Sequence, residues 1–101
     1  MIIANLEALQ VAATGVNITT SGTSAVVALP VDSSGAKARF VRVHATVAAT
    51  VRLGRTGVAA VATDMIVDPA SPVILHTIGH THIAALQVAA AGLVNVTPLE
   101  D

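Results

Sequence analysis

Residues 38–46 read ARFVRVHAT. Val41, Val43 and Ala45 fall at alternate positions, and so do Phe40, Arg42 and His44. A strand sends successive side chains to opposite faces. One face of this segment is therefore aliphatic, and the other bears a ring, a guanidinium and an imidazole. That period of two predicts a half-buried strand and decides for a β fold. Just beyond it, Ala49 to Leu53 (ATVRL) reads as its hairpin partner, and Gly54 to Gly57 as the next turn.

Working outward, the same vocabulary recurs. Toward the N-terminus lie the turn residues Asp32-Ser33-Ser34-Gly35, a strand from Ser24 to Leu29 stopped by Pro30, the Ser21-Gly22 turn, and a strand from Val16 to Thr20 after Gly15. Toward the C-terminus, Val58 to Met65 has room for a short strand. Asp68-Pro69-Ala70-Ser71-Pro72 is a stiff loop, because both prolines fix φ and withhold a donor. Strands follow at Val73 to Ile78, His82 to Val88 and Leu93 to Pro98, separated by turns at Gly79-His80 and Ala89 to Gly92. Seven or eight short strands at this spacing predict an all-β, single-domain antiparallel β-sandwich of jelly-roll type. The sandwich occupies residues 16–101. Residues 1–15 are an N-terminal arm or first strand, although Ile3, Leu6, Leu9 and Ala13 also fit a helical stripe. LEALQVAATGVNIT (6–19) and IAALQVAAAGLVNVT (83–97) resemble each other, as a duplicated hairpin or as a shared β vocabulary.

The composition bounds the function. Of 101 residues, 36 are Ala or Val, and only 11% are charged, against about 25% in ordinary domains. Such a chain is not disordered. With no cysteine it has no disulfide framework and no thiolate zinc site. A net charge of −1 and a single aromatic residue point away from nucleic acid. No apolar run reaches the ~18 residues of a spanning helix, and the N-terminus lacks the basic start of a signal peptide. Eleven charged residues cover the roughly 5,300 Å² of a folded chain this size only sparsely. The apolar surplus predicts burial against other copies of the chain.

No reaction is legible. His44, His76, His80 and His82 are the only metal-ligand candidates, and His80 and His82 stand two apart, as on one face of a strand. A His-x-His pair in a jelly roll resembles the cupin arrangement. Cupins add a carboxylate soon after the pair and a later histidine, whereas Ile83 to Gln87 has no acid and no histidine follows His82. Asp64 and Asp68 read as solvated turn acids. There is no Gly-x-Ser-x-Gly elbow and no phosphate loop. The expectation is a protein that is not an enzyme, with no cofactor, metal or small-molecule substrate.

Charge is arranged unevenly. Lys37, Arg39, Arg42, Arg52 and Arg55 all fall between 37 and 55, and the six acids lie outside that window. A basic face predicts docking onto an acidic protein surface, head-to-tail contact between subunits, or pairing with the chain's own acids. Arg39-Phe40-Val41-Arg42-Val43 with Ala49-Thr50-Val51-Arg52-Leu53-Gly54, and the ending Ile83-Ala84-Ala85-Leu86-Gln87 … Val94-Asn95-Val96-Thr97, resemble strand pairs of small bacteriophage virion proteins. The resemblance covers roughly residues 39–100 and is to the capsid cement or decoration type, which stabilises the head. It implies a β-sandwich on the capsid surface that binds the major capsid protein, commonly as a homotrimer. The partner interface is then expected at Ile2, Ile3, Leu6 and Leu9 of the arm and at Arg39, Phe40, Arg42, Arg52 and Arg55. A receptor- or glycan-binding β-module of a spike, fibre or tail is the alternative, with a cupin-like metal-binding domain behind it.

Overall fold

The computed structural model of the protein describes residues 9–100. Among them there is no helix. Eight strands follow one another: β1 (Val16–Thr19), β2 (Ala25–Ala28), β3 (Phe40–Ala45), β4 (Ala49–Gly54), β5 (Met65–Val67), β6 (Val73–His76), β7 (His82–Gln87) and β8 (Leu93–Leu99). They form two four-stranded sheets, ordered β1-β8-β3-β6 and β2-β7-β4-β5. Every neighbouring pair is antiparallel. β1 pairs with β8, β2 with β7, β3 with β6 and β4 with β5. The chain is one long hairpin, folded back on itself and rolled into two layers, which is the eight-stranded jelly roll. The all-β, single-domain sandwich expected from the sequence is the fold the chain adopts.

The inner faces follow the period of two. β3 sends Val41, Val43 and Ala45 inward, β8 sends Val94 and Val96, β1 sends Ile18, and β7 sends Ile83 and Ala85, all buried. The core is aliphatic throughout. Each buried valine or isoleucine contributes roughly 1.5–3 kcal/mol over the exposed state. Loop glycines supply sharp reversals: Gly35 and Gly79 have φ of 88° and 81°, where a side chain is disfavoured. Both stand where the sequence predicts turns.

Two expectations change. β3 and β4 are not a hairpin: β3 pairs with β8 and β6, and β4 with β7 and β5, in the other sheet. The short 46–48 connection is an arch between layers, flanked by the buried alanines Ala45 and Ala49, whose small side chains let the chain cross the core edge. Second, Val58 to Ala60 is loop, and the strand there begins only at Met65. The loop lies across the outer face of the second sheet. Val58 packs over Gly54, the Ala60 N–H donates to Ser24 Oγ at 2.9 Å, and Asp64 meets Arg52. Its path crosses β7, where Ala84, on the outward side of the strand, is fully buried. Of residues 1–15, expected as an arm or first strand, 9–15 form no strand of their own. Gln10 makes a single antiparallel bridge to Glu100, with backbone bonds of 2.6 and 3.0 Å. Residues 1–8 of the expected arm lie outside the described residues.

Candidate interaction surface

The outer face of the β1-β8-β3-β6 sheet is built by the residues that alternate with the core. Register places Phe40 between His76 and Leu99, Arg42 between Ile74 and Thr97, and His44 beside Asn95, which faces Asn17. The face is therefore apolar and aromatic at one end and amide- and hydroxyl-rich in the middle. Asn95 Nδ2 donates to Asn17 Oδ1 at 2.9 Å, and the Thr97 hydroxyl donates to Asn95 Oδ1 at 2.6 Å. His44 donates its Nε2–H to the Pro69 carbonyl at 3.0 Å. These bonds tie Asn17, Asn95 and Thr97 to one another and His44 to the 68–72 loop.

Phe40 is the anchor of the apolar end. Its ring lies 4.9 Å from that of His76, tilted by 59°, and the Arg39 guanidinium lies 5.9 Å from its centroid. Arg39, Phe40 and Leu99 border a concavity of about 140 Å³ together with Asp32 and Glu100. Both acids are already engaged. Glu100 accepts from the Ser33 N–H and hydroxyl at 2.9 and 2.6 Å. Asp32 accepts from the Ser34 hydroxyl and from the N–H groups of Ser34 and Ala36. The bond from the Ser34 hydroxyl, with the backbone donors behind it, lowers the Asp32 carboxyl below its ordinary value. The space is smaller than the 300–1,000 Å³ of a typical ligand pocket.

The residues expected at the interface are thus divided. Ile2, Ile3 and Leu6 lie outside the described residues, and Leu9 is half-buried just before the Gln10 bridge. Arg39, Phe40 and Arg42 come together on the first sheet. Arg52 lies on the outer face of the second sheet, 3.6 Å from Asp64, and Arg55 is exposed in the following loop. The continuous basic face expected from residues 37–55 does not form, because the arch at 46–48 sends its two halves to opposite layers. Asn17, Asn95 and Thr97 were not singled out by the sequence. Their signal is the outward alternation in VNIT and VNVT.

The histidines do not converge. His44 and His76 are on the first sheet. His80 sits in the turn before β7 and offers its carbonyl to Lys37, and His82 opens β7 with Nδ1 2.8 Å from the Thr81 hydroxyl. Among the described residues no three His, Cys, Asp or Glu side chains are placed to hold a metal ion. Asp64 accepts the Val61 N–H at 2.9 Å and pairs with Arg52, so its position serves the loop. No protein-family model matches the chain, and no curated protein or solved structure matches it.

Proposed function

We propose that this chain is a structural virion protein of a bacteriophage, a capsid-stabilising cement or decoration protein that binds the major capsid protein lattice as a homotrimer. The observation that supports the reading is the jelly roll itself, with its interior filled by Val, Ile and Ala. Jelly rolls serve as capsid, lectin and cupin domains, and the site must choose among them. A cupin keeps its metal ligands inside the barrel, whereas the inward positions here are aliphatic and His82 lies on the outward side of β7. A lectin stacks sugars on free aromatic faces, whereas Phe40, the one aromatic residue, already stands against His76 and Arg39. What is left is a broad, ordered face of Phe40, Arg42, Ile74, Asn17 and Asn95. An aromatic and arginine end beside an ordered polar middle suits a protein partner.

The test is made on particles. Phage particles assembled with the chain present are purified by density gradient and analysed by mass spectrometry, then compared with particles assembled without it. The reading expects the chain in many copies per particle and a lower temperature of DNA release when it is missing. Particles free of the chain, with unchanged heat resistance, refute it.

A further inference from the structure

One end of the sandwich gathers loops that carry no charge. Three connections meet there: 20–24 between β1 and β2, 46–48 between β3 and β4, and 88–92 between β7 and β8. None contains a charged residue. Val88, Ala89, Ala90 and Ala91 are exposed in a row, and Val88 is 50% exposed. The fourth connection at this end, 68–72, holds Asp68, the one charge nearby among the described residues.

The three loops are one rigid unit. Thr20 N–H donates to the Gly92 carbonyl at 2.9 Å, Thr46 N–H to the Leu93 carbonyl at 2.8 Å, Gln87 N–H to Ser21, and Val88 N–H to Ala48. Two hydroxyls add a second set of clips. Thr20 Oγ1 accepts the Gly92 N–H at 2.8 Å, and Thr46 Oγ1 accepts the Leu93 N–H at 2.8 Å. A Cβ on Gly92 would come within 2.9 Å of Thr46 Oγ1 and Val47 Cβ, so the loops are in close contact. Binding through such a surface orders little that is not already ordered, and alanine has no rotamers to lose.

We infer that the three uncharged loops of this end, centred on Val88 to Ala91, are where copies of the chain meet around their symmetry axis. The inference rests on the self-association in the proposed function and assigns it a surface. The argument is electrostatic. Close to a symmetry axis a residue meets its own copy, so any charge there meets a like charge. The opposite end holds Asp32, Lys37, Arg39, Arg55 and Glu100. The outer face of the first sheet presents Arg42, with no carboxylate within ion-pair distance among the described residues. The outer face of the second sheet is crossed by the 55–64 loop. The 20–24, 46–48 and 88–92 loops can meet their own copies without like-charge contact, with Asp68 of the 68–72 connection off the axis, and interface cores are depleted of charged residues.

The test uses the full chain and light scattering. The wild type is expected at three times the 10.1 kDa chain mass, and Ala90→Asp at the mass of one chain with an unchanged far-UV circular dichroism spectrum. The chain has no cysteine, so Ala90→Cys gives a clean second readout. Mild oxidation is expected to link copies of Ala90→Cys and not of Ser34→Cys, at the charged end. If Ala90→Asp does not fold, the cysteine pair decides alone. An oligomeric wild type whose Ala90→Asp variant keeps its mass, or whose cross-link forms through Ser34→Cys only, overturns the surface and leaves self-association standing. A wild type that stays monomeric at every concentration overturns both.

Discussion

Thr20 and Thr46 make the same pattern of bonds in different surroundings, and that contrast yields a sharp prediction. Each hydroxyl accepts a backbone N–H at 2.8 Å and donates back to the carbonyl of the same residue, Gly92 at 3.1 Å or Leu93 at 3.3 Å. Thr20 is 1% exposed, whereas Thr46 is exposed. Replacing either by valine keeps the shape and removes the hydroxyl. At Thr20 the Gly92 N–H loses its partner where water cannot easily replace it, a cost of about 1–3 kcal/mol. At Thr46, exposed in the single chain, solvent takes over at concentrations where the chain is monomeric, and the cost is about 0.5 kcal/mol or less. For a domain of this length a loss of about 2 kcal/mol lowers Tm by roughly 8–16 °C. Thr46→Val should lower it by no more than about 4 °C. The assay is thermal unfolding by far-UV circular dichroism, since the chain has no Trp or Tyr to report by fluorescence. Protein concentration is held fixed, because association makes Tm depend on it. Equal losses for the two variants, or a silent Thr20→Val, would refute the burial argument.

Three further outcomes are expected. Ile83→Ala, in the middle of the core and fully buried, should cost about 2–5 kcal/mol, read as a lower urea midpoint; an unmoved midpoint contradicts the packing. Gly15→Ala would put a Cβ 2.6 Å from the Val96 carbonyl oxygen, whereas Gly22→Ala meets open space. The first should destabilise clearly and the second change stability by about 0.5 kcal/mol at most; equal effects would show that Gly15 is not pressed against β8. Asp32, with its pKa lowered chiefly by the Ser34 hydroxyl, stabilises the fold fully above its unfolded value near 3.8. That contribution is lost as pH falls through the lowered folded value. The Tm gap between wild type and Asp32→Ala should therefore be open at about pH 6 and shrink as pH falls through 3.8 and on through the lowered folded value. A gap that persists in acid counts against the carboxylate's role in the 32–36 turn.

Local alternation made most strands legible. Phe40 to Ala45, His82 to Gln87 and Leu93 to Leu99 fall within a residue or two of where the pattern puts them. Layer membership was not legible, because it depends on pairing between distant strands. A three-residue connection between two alternating segments looks like a hairpin whether it reverses within a sheet or arches across to the other. Val58 to Met65 misled for a different reason. Its apolar residues belong to a loop that lies on a sheet face, so they have a burial pattern without strand pairing. The same distinction explains the candidate surface. Phe40 and Arg42 were visible as outward positions of one strand, but the separation of Arg52 and Arg55 from them was not. The resemblance of segments 6–19 and 83–97 has a partial counterpart in space: β1 and β8 are neighbours, with Asn17 opposite Asn95.

The pairing of β1 with β8 also sets a timetable for synthesis. Asn17 and Asn95 are 78 residues apart. A ribosome adding about 5–20 residues per second needs roughly 4–16 s to cover that distance, while a hairpin forms in microseconds. β1 must therefore wait, unpaired, for almost the entire chain to be made. β2 waits for β7, and only β4 finds β5 soon after it emerges. The roll closes from the middle outward, and its outermost seam is sealed last. A chain rich in Val and Ala then spends seconds with open strand edges at the tunnel exit, within reach of its neighbours on the same message.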